Sequence, residues 1–209
     1  DFPDFKQVAV KNISLPIGYA SLRLFFIIPR ILKKMKVDVV VEPAHFGPFN
    51  LPKRIKRVTV IHDITPILFP HLHRWHSQFL QNVFLKRILY RTDCIIANSQ
   101  NTAKDIAKQY PQNQDKIATI LLGKEKLFKP RHDRSIFAKY NLPEKYFLFL
   151  GTIEPRKNLE TLLKAYNQFR EKSDKKTPLV IVGGKGWKSE SFFKALEKHP
   201  FKKDIILPG

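Results

Sequence analysis

Two adjacent cations, Arg156 and Lys157, stand in a short polar turn between an apolar run, Phe147 to Leu150, and an amphipathic stretch that opens at Asn158. The run reads as a buried strand ending at Gly151. Asn158 reads as the cap of a helix whose apolar residues Leu159, Leu162, Leu163, Tyr166 and Phe169 recur at helical spacing. A strand, a basic turn and a helix start in that order make a place to hold an anion. Backbone N–H groups and the positive end of the helix dipole favour phosphate, and Arg and Lys add full charges. An ordinary basic turn with solvated side chains fits the same residues.

Other residues with chemical potential also sit at strand ends. His62 and Asp63 close the run Val58 to Ile61, a carboxyl-edge position facing a crevice; the alternative is a His62 bonded to a neighbouring loop and an Asp63 capping a turn. Gly183 and Gly184 close Leu179 to Val182, where glycine lets a backbone approach a nucleotide closely or simply ends a strand. Ser99 follows a strand, as a cleft-lining hydroxyl or as a helix N-cap. His45, His71, His73 and His76 lack the companions of a zinc site, so no metal is expected.

The elements that must position these residues alternate. Strands are predicted at Val8 to Val10, Val37 to Val41, Val58 to Ile61, Cys94 to Ala97 and Lys116 to Leu122, then at Phe147 to Leu150, Leu179 to Val182 and Asp204 to Leu207. Helices are predicted at Trp75 to Arg91, Asn101 to Tyr110, Ser135 to Tyr140, 158 onward and Ser189 to His199. The segment 21–36 is interrupted by Pro29 and reads as a kinked helix or as one with Pro29 in its first turn. Alternation of this kind predicts an α/β fold of two doubly wound parallel sheets with ligands at the carboxyl ends of strands. The boundaries read as a domain over 1–122, a linker over 123–140 and a second domain over 141–209.

The chain of 209 residues carries 38 Lys and Arg against 18 Asp and Glu, a net charge of +20. That balance admits nucleic acid, an anionic membrane surface or phosphorylated substrates as partners. The cations are dispersed, with small knots at 33–36, 53–57 and 175–176, and no helix-turn-helix, zinc-finger or RNA-binding pattern organises them. Nucleic acid is therefore not expected. The single cysteine, Cys94, reads as a buried small hydrophobe and suits a reducing compartment. No apolar run approaches the roughly 18 residues of a membrane span, and no signal peptide is expected from the opening residues.

The stretch Gly151-Thr-Ile-Glu-Pro-Arg-Lys-Asn158 resembles the signature that opens the C-terminal domain of family 4 glycosyltransferases, retaining enzymes of the two-domain GT-B architecture. Val58 to Pro66 resembles the family's apolar strand ending in His-Asp, 92–99 its next strand, and Leu179 to Gly184 with Gly186-Trp187 its second strand and loop of the nucleotide domain. The resemblance covers roughly residues 37–209. It implies that His62 lies by the transferring sugar and is important for catalysis, with Asp63 its structural or acceptor-side neighbour. It implies that Gly151 and Lys157 grip the donor diphosphate. Many relatives place Arg directly after that glycine; here Thr152 stands there, and Arg156 is the candidate second cation.

The resemblance further implies a nucleotide-sugar substrate such as a GDP- or UDP-sugar, no cofactor, and transfer with retention to a glycan or polyprenyl-diphosphate-linked acceptor in envelope polysaccharide or glycolipid synthesis. It implies a cytoplasmic location, peripheral on the inner face of the plasma membrane, where the basic apolar stretch 21–36 either docks on anionic lipid or forms a core helix with lysines reaching to water. The family's paired glutamates, eight apart, belong downstream of Gly209, and its glycine-rich N-terminal loop has no counterpart in 1–36. The chain, opening at Asp1 without Met, is therefore expected to be an incomplete GT-B protein, with an incomplete first domain and the first half of the second, inactive alone. A catalytically incomplete nucleotide-binding homologue and a basic nucleic-acid-binding α/β protein are the competing readings.

Overall fold

A computed structural model describes residues 8–10, 19–125, 129 and 134–209. The chain forms two compact units, one from residues 1–70 and 75–124, the other from 71–74 and 125–209.

The first unit is built on four parallel strands in the order β1 (Val39–Glu42), β2 (Lys56–Ile61), β3 (Cys94–Ala97) and β4 (Ile117–Thr119). Parallel neighbours need crossovers: helices Thr65–Leu68, Trp75–Leu80 and Lys86–Arg91 lie in the one from β2 to β3, Gln100–Gln109 in the one from β3 to β4, and a loop without a helix joins β1 to β2. The core gathers Ile61, Ile64, Leu85, Leu89, Ile95, Ala97, Ile106 and Tyr110. Pro29 falls within the first turn of Ile28–Lys34, and a π-helical turn, Arg23–Ile27, precedes it. Proline has no N–H for the carbonyl four residues back, and its ring crowds that carbonyl. The helix widens there, and Ile28 N donates to Arg23 O instead. A second π-helical turn, Gln81–Leu85, joins Trp75–Leu80 to Lys86–Arg91, so the predicted helix 75–91 runs through.

The second unit has three parallel strands in the order β5 (Phe147–Leu150), β6 (Leu179–Val182) and β7 (Ile205–Ile206). Helix Leu159–Lys172 connects β5 to β6 and Glu190–Glu197 connects β6 to β7. Leu159, Leu163 and Tyr166 are buried in its core with Leu162 and Phe169 packed beside them, so all five residues of the predicted apolar stripe face inward.

Several expectations are corrected. Val8–Val10 forms no strand. Strand β1 starts two residues later than expected and ends one later, at Glu42, whose carboxylate joins a buried ion pair described below. Strand β4 is shorter than 116–122: Ile120 N makes one more bond, to Ala97 O, after which Leu121 and Leu122 stand in solvent. Strand β5 was expected to be buried, yet Phe147, Leu148 and Leu150 are exposed. It is an edge strand of its sheet among the described residues, with only β6 paired to it. Cys94 is half-buried rather than buried. Part of the expected linker, 126–128 and 130–133, lies outside the described residues.

Candidate functional site

The carboxyl edge of the first sheet is a mesh of side chains. His62 follows β2, and its Nε2–H donates to Pro43 O at 2.8 Å. Its Nδ1 accepts from Asn98 Nδ2 at 3.2 Å. The Pro43 carbonyl can only accept, so that bond places a proton on Nε2. The His62 carbonyl accepts from Thr102 Oγ1 at 3.1 Å. Beside it the ring of His45 stands at 5.7 Å, and His45 Nε2 donates to Asp63 O at 2.7 Å. Burial holds the His45 pKa below the ordinary range against the pull of Asp63, so this ring is neutral near pH 7.

Asp63 turns back on its own chain: Oδ1 accepts from Thr65 N at 3.0 Å and Thr65 Oγ1 at 2.5 Å. Its carboxylate shapes the entry to the helix Thr65–Leu68, the turn-capping role among the two that the residues allowed. Ser99 is an N-cap, its Oγ accepting from Thr102 N at 3.0 Å.

Beneath this mesh lies a buried polar cluster. Arg57 pairs with Glu42 through Nε and donates through Nη2 to Pro48 O, while Thr59 Oγ1 donates to the other Glu42 oxygen at 2.8 Å. Thr92 Oγ1, 2.9 Å from Thr59 Oγ1, extends the chain. Burial pushes the Glu42 carboxyl up against the pull of Arg57 and the Thr59 bond. The loop 43–50 is clamped over this cluster, and a Cβ on Gly47 would collide with the Glu42 side chain. That loop supplies Pro43 O to His62 and carries His45.

The second unit builds its carboxyl edge from backbone. Gly151 and Gly183 end β5 and β6 with φ of 152° and 145°. A Cβ on Gly183 would run into the carbonyl of Gly151, so the two strand ends close in only because position 183 is glycine. Ile153 N donates to Gly184 O and Gly186 N to Ile153 O, both at 3.0 Å. The turn Pro155–Lys157 follows, and Asn158 adopts the left-handed conformation at φ 51°.

Asn158 does not cap as predicted. Its side chain bonds no backbone N–H of the helix, and Oδ1 accepts from Thr161 Oγ1 at 2.8 Å instead. With left-handed dihedrals its side chain is swung away from the amides it would reach from extended backbone. Thr161 N already donates to Asn158 O at 3.2 Å, so the N–H groups of Leu159 and Glu160 are the ones that stay available to a ligand's oxygens.

The two cations of the turn separate in role. Arg156 Nε and Nη2 reach Glu154 Oε1 at 3.0 and 2.9 Å, and the Glu154 side chain is buried. Lys157 is exposed, and its aliphatic stem passes 3.8 Å from where a Cβ of Gly151 would lie. Among the described residues no carboxylate pairs with Lys157. Thr152 is exposed beside it. Next to the turn a hollow of about 210 Å³ opens among Glu154, Asn158, Glu160, Lys188 and Ser189.

In each unit the predicted residues come together: His62, Asp63 and Ser99 within one network, and Gly151, Thr152, Arg156, Lys157, Gly183 and Gly184 around one pair of strand ends. Sequence reasoning missed Asn98, His45 and Pro43. Their signal was position, because each lies just past the carboxyl end of a parallel strand adjoining β2.

Residues 4–123 match the family model for glycosyltransferase family 4, and residues 132–209 match that for glycosyl transferases group 1. The chain belongs to glycosyltransferase family 4. It is 29% identical over 160 residues to the O-antigen chain mannosyltransferase B of Escherichia coli, covering 74% of this chain and 42% of that protein. It is 29% identical over 197 residues to the D-rhamnosyltransferase WbpZ of Pseudomonas aeruginosa, covering 89% and 48%. The family 4 chain thus spans less than half the length of these relatives. Its fold is that of TarM (TM-score 0.56, 17% identity, 85% of this chain and 34% of that one). A glycosyltransferase from Rickettsia africae superposes similarly (TM-score 0.55, 15% identity, 95% and 53%). The architecture is GT-B, with two Rossmann-like parallel-sheet units. Among the described residues no helix is long and apolar enough to cross a membrane.

Proposed function

We propose that this chain provides the donor-diphosphate grip and the acceptor-side histidine of a glycosyltransferase in cell-envelope polysaccharide synthesis. The observation that carries the reading is Lys157, an exposed cation without a carboxylate partner among the described residues, laid over Gly151 at the start of a helix without a side-chain N-cap. A nucleotide diphosphate leaves with charge developing on its phosphates, and a fixed cation with aimed N–H groups stabilises that charge without reorganising. Arg156 acts on this reading by holding Glu154, while Thr152 and the glycine ends let phosphate approach the backbone. His62, held at both ring nitrogens, faces the reacting sugar, and Asp63 fixes the turn that presents it.

The names of the relatives support mannosyl transfer, or transfer of a related hexose, to an O-antigen-type glycan. We assign retention, with the diphosphate helping to deprotonate the acceptor hydroxyl, a GDP- or UDP-sugar as donor, no metal, and a lipid-linked or glycan acceptor reached at the inner face of the plasma membrane.

Calorimetric titration of GDP-mannose and UDP-sugars into the chain tests the reading. Binding of at least one, weakened about tenfold or more by Lys157→Ala, is expected from the loss of one charged hydrogen bond. Failure of every nucleotide sugar to bind would overturn it.

A further inference from the structure

Phe25, Phe49 and Phe84 converge on a pocket of about 210 Å³ in the first unit, walled also by Arg57, Arg87 and Arg91. Phe25 and Phe49 stack at 4.3 Å and 10°, and Phe84 meets them at 6.2 and 5.6 Å. Phe25 and Phe84 come from the two π-helical turns, a local widening that recurs at ligand sites. Asn50 Nδ2 donates to Phe25 O at 3.2 Å, tying the loop that carries Phe49 to the first of these turns.

The arginines differ in what they face. Arg57 is already held by Glu42 and Pro48 O. Arg87 and Arg91 are exposed, lie four residues apart on one face of Lys86–Arg91, and pair with no carboxylate among the described residues. Like charges at that spacing repel. An anion between the two would relieve the repulsion, and guanidinium forks match the several oxygens of a phosphate. The stacked rings beside them favour an apolar body over water.

We propose that this pocket binds an amphiphilic phosphate, its head between Arg87 and Arg91 and the first carbons of its chain on the Phe25, Phe49 and Phe84 rings. The site is separate from His62. Arg57 precedes His62 by five residues along β2, roughly 16 Å of strand. The proposal goes beyond the transferase reading and stands without it.

The test is calorimetric titration of the chain with dodecyl phosphate below its micellar concentration, beside inorganic phosphate and neutral dodecyl maltoside. Dodecyl phosphate is expected to bind, and the exposed pair R87A/R91A to weaken it about tenfold or more with the melting temperature unchanged. The equally charged change K164A/K172A, on an exposed face of the second unit, should leave binding as it was. Equal binding of dodecyl maltoside would make the pocket a merely greasy surface. Equal binding of inorganic phosphate would remove the apolar half of the site. Insensitivity to R87A/R91A, or an equal loss with K164A/K172A, would reduce the effect to the chain's net charge. Each of these three results overturns the proposal.

Discussion

The two carboxyl edges of this chain solve the same positioning problem with different materials. In the first unit side chains do the work. His62 is held at both ring nitrogens, His45 and Asp63 brace the neighbouring turns, and a buried Glu42–Arg57 pair clamps the loop above them. In the second unit backbone does it: two glycine strand ends in contact, a left-handed Asn158, and a helix start whose first amides meet no side-chain cap, with the exposed Lys157 beside them. A side-chain mesh fixes one ring in one orientation, which suits a residue that must touch a sugar at a defined angle. A backbone cradle suits a diphosphate, whose oxygens take N–H donors from many directions.

If that contrast is right, the first unit breaks when a buried side chain is removed. Glu42→Ala leaves the Arg57 guanidinium buried without its partner, and should cost about 3–5 kcal/mol of stability in that unit. Denaturant-dependent hydrogen exchange, read separately on amides of the two units, checks it; an equal loss in both would erase the distinction. The second unit should break at backbone positions. Gly183→Ala forces a methyl group against the Gly151 carbonyl at a φ that other residues rarely adopt, and about 2 kcal/mol of local destabilisation is expected. The same exchange experiment reads it at Val182 and Ile153.

The smallest effect sharpens the comparison through pH. The His45 pKa is lowered on folding by burial, so the folded chain binds fewer protons there than the unfolded one. Stability from this group is complete above the ordinary histidine value of about 6.5 and is lost as pH falls through the folded value. The first unit should therefore melt at lower temperature on acidification below that point, and His45→Gln should flatten the trend. No flattening would mean that His45 does not carry it.

What the sequence made legible follows the same division. Local patterns were readable: the inward stripe Leu159, Leu162, Leu163, Tyr166 and Phe169, the Ser99 cap, and the alternation that yields two parallel sheets. These depend on periodicity and on contacts a few residues apart. Features set by distant partners were not. Strand β5 is exposed, with only β6 paired to it among the described residues, and an apolar run does not encode how its faces are covered. The Asn158 cap failed because its dihedrals are set by the turn before it. Arg156 and Lys157 look equivalent in sequence, yet a buried Glu154 two residues away takes only the first. The Glu42–Arg57 clamp joins strands fifteen residues apart, and neither residue announces the other.

The central claim is that Lys157 and the glycine-ended turn hold a diphosphate. The most direct measurement is calorimetric titration of GDP and GMP, with UDP and UMP alongside, into the chain and into Lys157→Ala. The account predicts that one diphosphate binds more tightly than its monophosphate, and that Lys157→Ala weakens it about tenfold or more while barely moving the monophosphate. A diphosphate bound no better than its monophosphate, or one indifferent to Lys157→Ala, would contradict it.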